Sequence, residues 1–299
     1  MESEIRNKDG LTENEFLERY DSNKYEKPSV TVDTLIFTVD ERISKNYRKL
    51  PEKELKVLMI KRGDHPFINK WAIPGGFVNI KESMEEAAKR ELFEETGVEN
   101  IYLEQLYTWG DVNRDPRMRV IYTSYMALVD KDTLDIKAGD DVADAKWFSV
   151  KTEILKEVKT NTDNGYMYEK YIKLALECHE IVLNGEVIER KLYENKKLSI
   201  SYDVVESEGI AFDHAKIIIS ALTRMKNKVE YTDIAFNLMP EMFTLSELQK
   251  VYSILLGKEL LAAQFRRKIN NMVIETNETT KGGGQRPAKL FKFNPHWAE

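Results

Sequence analysis

The chain has 299 residues, 42% of them hydrophobic and 32% charged, with a formal net charge of −6, the make-up of a soluble protein of about two domains. No apolar run approaches the ~18 residues of a membrane span, and the opening MESEIRNKDG lacks the pattern of a signal peptide, so the chain is expected to stay in the cytoplasm and off membranes. A single cysteine, Cys178, excludes an internal disulfide, and the four histidines show no zinc-ligand spacing.

Thr12 with Glu15 makes a capping box for a short helix, after which Pro28 breaks into the β-rich run Ser29 to Val39. Residues 40–54 read as a polar loop. Further strands are expected at Lys56 to Lys61, Ile101 to Thr108, Met118 to Val129 and Ala145 to Val150. Between the strands at Lys56 to Lys61 and Ile101 to Thr108, Ser83 and Glu86 cap a helix that starts at Met84, and Gly97 is placed to stop it. Met84, Ala88 and Leu92 fall at i, i+4, i+8 as its buried stripe. Glu91, Glu94 and Glu95 fall at i, i+3, i+4 and stack three carboxylates on one side. Such charges repel unless neutralised, and a hard divalent cation, Mg2+ or Mn2+, takes oxygen ligands and phosphate together. Arg90 is placed to brace either Glu94 or a carboxylate across the preceding loop. The element order suits an α/β fold, a mixed sheet flanked by helices.

Two stretches bear on a substrate. Arg62, at a strand end, either meets a phosphate or faces solvent. In NRDPRMR, Arg114 and Arg117 are held by a proline turn, and either grip a diphosphate or ribose or are stitched to Asp115. Tyr107 and Trp109 either stack on a base or belong to the core. Residues 151–210 read as a connector or insertion: Tyr166 to Leu183 is taken as helical, with Cys178 on a buried face beside Tyr171, Ala175 and Val182, while Leu198, Ile200, Tyr202 and Val204 alternate like one arm of a hairpin.

From Ala211 the charge changes sign. Residues 211–299 hold 13 Lys and Arg against 9 Asp and Glu, so the first 210 residues carry −10. An acidic first part needs a cation for phosphate work, and a basic tail suits a polyanion. AFDHAKIIISALTRMKNK suggests a linking helix. Thr244 and Glu247 cap the next, with Leu245, Leu248, Tyr252 and Leu255 inward and Gly257 at its end. After a short turn a second helix starts near Leu261, with Leu261, Phe265, Ile269 and Met272 inward, and Ala263, Arg266, Arg267 and Asn270 outward. This is a helix-turn-helix pattern. Two short strands follow around a Gly-rich loop bearing Lys281 and Arg286, a winged-helix layout; the same pattern also fits a small packing or dimerisation domain.

The run from Gly76 matches G-x5-E-x7-R-E-U-x-E-E-x-G-U, U being a bulky aliphatic, at Gly76, Glu82, Arg90, Glu91, Leu92, Glu94, Glu95, Gly97 and Val98. It resembles the Nudix box, which implies a Nudix α/β/α sandwich and a hydrolase that splits nucleoside diphosphate derivatives. The Gly75 carbonyl, Glu91, Glu94 and Glu95 would then hold metal, and Glu91 or Asp141 would take a proton from water. Asp141, six residues before Trp147, stands where many Nudix enzymes carry an acidic ligand or base. The turn Arg114–Asp115–Pro116–Arg117 resembles that of ADP-ribose pyrophosphatases. LMPEMFTLSELQKVYSILLGKELLAAQFRRKI with GGGQRPAKLFKF, and the EFLERYDSNKYEKPSVTVD and AFDHAKII runs, resemble the Nudix-related transcriptional regulators. That resemblance implies double-stranded DNA and a nucleotide-sugar type ligand as partners, a homodimer, and control of NAD or sugar metabolism. Known members often have a degraded box and only sense the ligand, whereas this chain keeps every box residue. The expected division is a Nudix hydrolase domain with its N-terminal helix at 1–150, a connector at 151–210, and a linking helix with a winged-helix DNA-binding domain at 211–299.

Overall fold

The protein is described here as a computed structural model, covering residues 5–41, 52–97, 101–130, 142–280 and 287–298. In chain order the elements are α1 (Glu13–Arg19), β1 (Ser29–Glu41), β2 (Lys53–Arg62), β3 (Trp71–Ala72), β4 (Gly75–Phe77), α2 (Met84–Thr96), β5 (Tyr102–Trp109), β6 (Val120–Leu128), β7 (Val142–Thr162), β8 (Gly165–Cys178), β9 (Ile181–Glu194), β10 (Lys197–Glu208), α3 (His214–Lys228), α4 (Leu245–Leu256), α5 (Ala262–Ile269), β11 (Val273–Thr279) and β12 (Lys289–Phe293).

Among the described residues one sheet runs β10-β9-β8-β7-β2-β1-β6-β5, with β3 on β2 and β4 on β1. It is mixed: β1 and β6 are parallel, from Ser29↔Val120 to Phe37↔Leu128, while β1 and β2 are antiparallel. The central strand β1 is apolar on both faces because both are covered. Its alternate residues divide between the layers: Leu35 and Phe37 share a core with Ile217 and Ile218 of α3 and Tyr252 of α4. On the other face Ile36 and Leu58 pack with Leu92, and Val32 packs with Ala87 and Ala88. The result is a helix–sheet–helix sandwich with α2 on one side and α3 on the other.

The capping expectations hold at all three helices, each box closed in both directions at Thr12/Glu15, Ser83/Glu86 and Thr244/Glu247. Gly97 and Gly257 end α2 and α4 at φ 70° and 65°, a conformation in which a Cβ would be strained. Met84, expected in the buried stripe, is 41% exposed, because α2 lies on β1 through Ala87 and Ala88, whose small side chains draw it close. Strands β1 and β2 also reach Glu41 and back to Lys53, further into the segment read as a loop.

The largest correction concerns Tyr166 to Leu183, which is strand, not helix. Within β8 the buried residues are Ile172, Leu174 and Leu176, a period of two, whereas the period-four set mixes half-buried Cys178 with Val182 at 53% exposure. Two hairpin signals mark the true pattern: Asn164-Gly165 between alternating runs, and Asn195-Lys196, both at positive φ (49° and 65°). Gly165 is required there, since a Cβ would overlap the Tyr193 carbonyl oxygen. The alternation of Leu198 to Val204 does form a hairpin arm, β10 paired with β9 from Lys197↔Glu194. The four long strands β7 to β10 thus continue the same sheet past residue 150 and deliver the chain to α3.

Candidate functional site

A cleft of about 1140 Å³ opens beside the N-terminal half of β1, walled by Glu91, Glu94 and Glu95 of α2 on one side and by Arg62 and Arg117 on the other. Its acidic wall is positioned by Arg90. That guanidinium donates to both oxygens of Glu82 (3.1 and 2.7 Å) and to the Phe77 carbonyl (3.2 Å), so it ties the loop to the helix; it also donates to Glu91 (2.7 Å) and Glu94 (3.3 Å). Both braces considered from the sequence are made. The Arg90 hydrogen bonds bring Glu82 down to about 2 and raise Arg90 itself. Glu91 is raised by burial, in spite of Arg90. Glu95 is 8% exposed, and burial, then the charges of Glu91 and Glu94, push it up to about 7; among the described residues its Oε2 has no hydrogen-bond partner.

Those features suit a hard divalent cation. A Cβ at Gly76 would overlap the Glu91 carboxylate, and one at Gly75 would overlap Val32 and Asp33, so the glycine pair leaves room for oxygen atoms to converge. Among the described residues no three carboxylate, imidazole or thiol side chains already surround one point. A cation here would complete its shell with water and phosphate oxygens, the habit of Mg2+.

On the opposite wall Arg62 donates to the Pro66 carbonyl (2.7 Å), and burial together with the Arg117 charge pulls its pKa down. Arg117 is held by both oxygens of Asp115 (3.1 and 2.9 Å). Burial alone would raise Asp115, but hydrogen bonds from Arg117 and Tyr122 outweigh it and bring it to about 2. Two cations facing one cleft favour an anionic ligand such as a diphosphate. Arg117 is therefore both stitched to Asp115 and part of the wall. Arg114, expected to grip ligand beside it, lies elsewhere: its side chain is 3% exposed and forms a two-pronged pair with Asp213 (3.0 and 2.5 Å), just before α3. Trp109 is core, 5% exposed and donating to Ser124 (3.0 Å), whereas Tyr107 is 56% exposed. Asp141 and Val98 lie outside the described residues.

The cleft residues that the sequence reading missed include Asp33, Phe212 and His214. Asp33, 4% exposed on β1, has an unpartnered Oδ2 and is raised to about 8 by burial. A carboxylate inside the apolar run SVTVDTLIFTV was its visible signal. Phe212 and His214 come from about 140 residues beyond β3, and the AFDHAKII run that holds them stood out only as part of a resemblance, not as a site.

The second site is convex. Tyr252 of α4 meets Phe265 of α5 edge to face (5.3 Å), and Phe265 and Ile269 are buried, which leaves Ala263, Arg266, Arg267 and Asn270 on the exposed face of α5. Gln249 donates to the Leu260 carbonyl (2.7 Å) and fixes the turn between the helices. Leu261 departs from its expected inward place at 68% exposure, because it caps α5 from outside. The strands β11 and β12 pair antiparallel, Val273↔Phe293 to Thr279↔Lys289, as a wing beside the helices. Lys281 and Arg286 lie outside the described residues.

A sheet, box helix and cleft of this kind, continued into a winged helix, define a Nudix domain carrying a DNA-binding module. Family models agree: the NUDIX domain matches residues 50–171 and the NrtR DNA-binding winged helix domain matches residues 235–293. The chain is 31% identical over 285 residues to the ADPR responsive transcriptional repressor NtrR of Acinetobacter baylyi, covering 94% of this chain and 88% of that protein. The chain belongs to that family of Nudix-domain transcription regulators. The ADP-ribose pyrophosphatase of Methanocaldococcus jannaschii is 36% identical over 138 residues, 45% of this chain and 72% of that one. The crystal structure of Shewanella oneidensis NrtR complexed with a 27mer DNA superposes with a TM-score of 0.59 at 28% identity, covering 90% of this chain and 95% of that chain.

Proposed function

We propose that this protein is a DNA-binding regulator whose Nudix cleft binds ADP-ribose or a related nucleoside diphosphate derivative and hydrolyses its diphosphate. The observation that carries the reading is the pairing of an intact, partly buried carboxylate wall with an arginine wall across one cleft. A divalent cation held by Glu91, Glu94, Glu95 and the Gly75 carbonyl would supply charge neutralisation at the phosphate and acidify a water. Arg62 and Arg117 bind the diphosphate oxygens, Arg90 holds Glu91 in place, and Glu91 takes the proton of the attacking water. Arg266, Arg267 and Asn270 enter the major groove or clasp its edge phosphates, Lys281 and Arg286 add charge toward the duplex backbone, and a homodimer sets two such helices on a palindrome.

A sensor without turnover is the second reading, favoured by the relative that aligns along nearly the whole chain and is named a repressor. One experiment separates them. The protein is incubated with Mg2+ and a panel of nucleoside diphosphate derivatives, and products are identified by mass; two phosphomonoesters from ADP-ribose are expected. Intact nucleotide, with ADP-ribose still weakening DNA binding, leaves the sensor. Neither product nor any effect on DNA affinity refutes both.

A further inference from the structure

The linker between β10 and α3 builds part of the cleft. Gly209, at φ 82°, turns the chain beside Leu183; its carbonyl then accepts Trp71 N–H (2.8 Å), and Ala211 N–H donates to the Trp71 carbonyl (2.8 Å). Ile210 thereby forms a parallel bridge to Trp71. Next in the chain, Phe212 adopts φ 50°, a left-handed conformation that is costly for a bulky residue, and its ring joins the cleft wall against Phe67 (4.6 Å) with the Arg62 guanidinium 5.1 Å away.

His214 is the first residue of α3 and is 2% exposed, yet it also lines the cleft. Its Nδ1 accepts the Ile73 N–H (2.9 Å), and burial lowers its pKa to about 3, so the neutral ring carries its hydrogen on Nε2. Among the described residues that N–H has no acceptor. Its neighbour is the equally unpartnered Oδ2 of Asp33, 4.0 Å away, too far for a direct bond. A buried donor and a buried carboxyl oxygen left open on one cleft floor call for a shared polar guest. A phosphate oxygen would satisfy the imidazole but is accommodated only by the protonated form of Asp33, since the carboxylate repels it. A hydroxyl satisfies both, since it accepts from Nε2–H and either donates to or accepts from the carboxyl.

We infer that His214 and Phe212 are ligand-binding residues supplied by the linker, His214 donating to a ribosyl hydroxyl of the nucleoside diphosphate ligand and Phe212 packing on the same sugar or the attached base. This rests on the ligand class proposed above. It also places the first residue of α3, the helix that packs on α4 of the DNA-binding module, in contact with the ligand.

The test measures calorimetric affinities of the full chain, in a Glu94→Gln background with Mg2+ so that nucleotide is not consumed. The ligands are ADP-ribose, ADP, and ADP-ribose lacking the 2′ and 3′ hydroxyls of its adenosine. In the parent, at least one truncation is expected to weaken binding roughly tenfold. In His214→Asn that penalty should shrink below about threefold, because the shorter amide can still accept from Ile73 N–H in place of Nδ1 but carries no donor at the Nε2 position. Phe212→Leu, at a partly exposed site, should weaken ADP-ribose by about threefold or more with melting unchanged. A truncation penalty equal in parent and His214→Asn, together with full affinity in Phe212→Leu, overturns the inference while leaving the ligand class standing. A parent that binds none of the three nucleotides overturns both.

Discussion

The box helix α2 and the helix α5 each present a row of charges, but they hold them in opposite ways. On α2, Glu95 is buried with an orphaned oxygen, Glu91 is half-buried, and the carboxylates raise one another. On α5, Arg266 and Arg267 are exposed and, among the described residues, form no ion pair, while Phe265 and Ile269 anchor the helix by ordinary apolar burial. The first arrangement is electrostatically incomplete and calls for a cation. The second is complete as a fold and offers its charge outward to a polyanion. One site should therefore respond to metal and pH, the other to salt.

The sharpest way to break this contrast is to remove one α2 carboxylate at a time. Glu94→Gln and Glu95→Gln should each lower Mg2+-dependent hydrolysis by about a hundredfold or more, since ligand oxygens matter at least as much as the groups that orient them. DNA affinity without nucleotide should stay within experimental scatter. Turnover at the parent rate in both variants would mean that the carboxylate wall has no part in catalysis.

The same contrast explains what could be read from the sequence. Glu91, Glu94, Glu95 and their brace Arg90 are placed by one helix, so a local pattern of i, i+3 and i+4 carries the geometry. The three capping boxes were visible for the same reason. The opposite wall is assembled from β1, the Arg117 turn and the linker at Phe212 and His214, whose proximity is made only by the sheet and by the Trp71 bridge. No local period encodes that. Arg114 shows the limit most directly: its motif looked like a ligand grip, but its partner Asp213 is 99 positions away and lies partly buried before α3. Where local pattern did mislead, at Tyr166 to Leu183, the residues fit periods of both four and two, and pairing with β7 and β9 selected the strand.

A smaller effect is expected from the exposed row. Arg267→Ala should cost about 1–3 kcal/mol of specific DNA binding if the side chain reads a base edge. Hydrolysis should be untouched, because Arg267 belongs to the exposed face of α5 and not to the cleft. The parent's DNA affinity should fall steeply with salt as released counterions return to the duplex. Selection of oligonucleotides from a random pool checks both points, and the recovered sites should be imperfect palindromes if two copies bind together. Salt-insensitive affinity with no recovered motif would assign the winged helix to packing.

The smallest expected effect is on the stability of the metal-free protein, and its sign follows from Glu95. Folding raises this carboxyl from its ordinary 4.5 to about 7, so the folded state holds a proton that the unfolded chain releases earlier. A group raised in this way contributes stability that is fully present below about pH 4.5 and is lost as pH climbs through 7. Glu91, raised in the same direction, adds to the loss. His214 works oppositely: its pKa falls from 6.5 to about 3, so its neutral burial costs stability only as pH drops below 6.5. The two are separated by comparing parent with Glu95→Gln, because His214 is common to both. In EDTA the parent's melting temperature should fall relative to the variant's between pH 5 and pH 8, and the variant should be the more stable at pH 8. Adding Mg2+ at pH 8 should raise the parent's melting temperature more than the variant's, since the cation relieves a repulsion that the amide no longer takes part in. At pH 5, with Glu95 protonated, Mg2+ should have little effect on either. Parallel melting curves across this range, with and without Mg2+, would show that the buried carboxylate is satisfied by the fold alone, and the contrast between the two helices would then reduce to one of exposure.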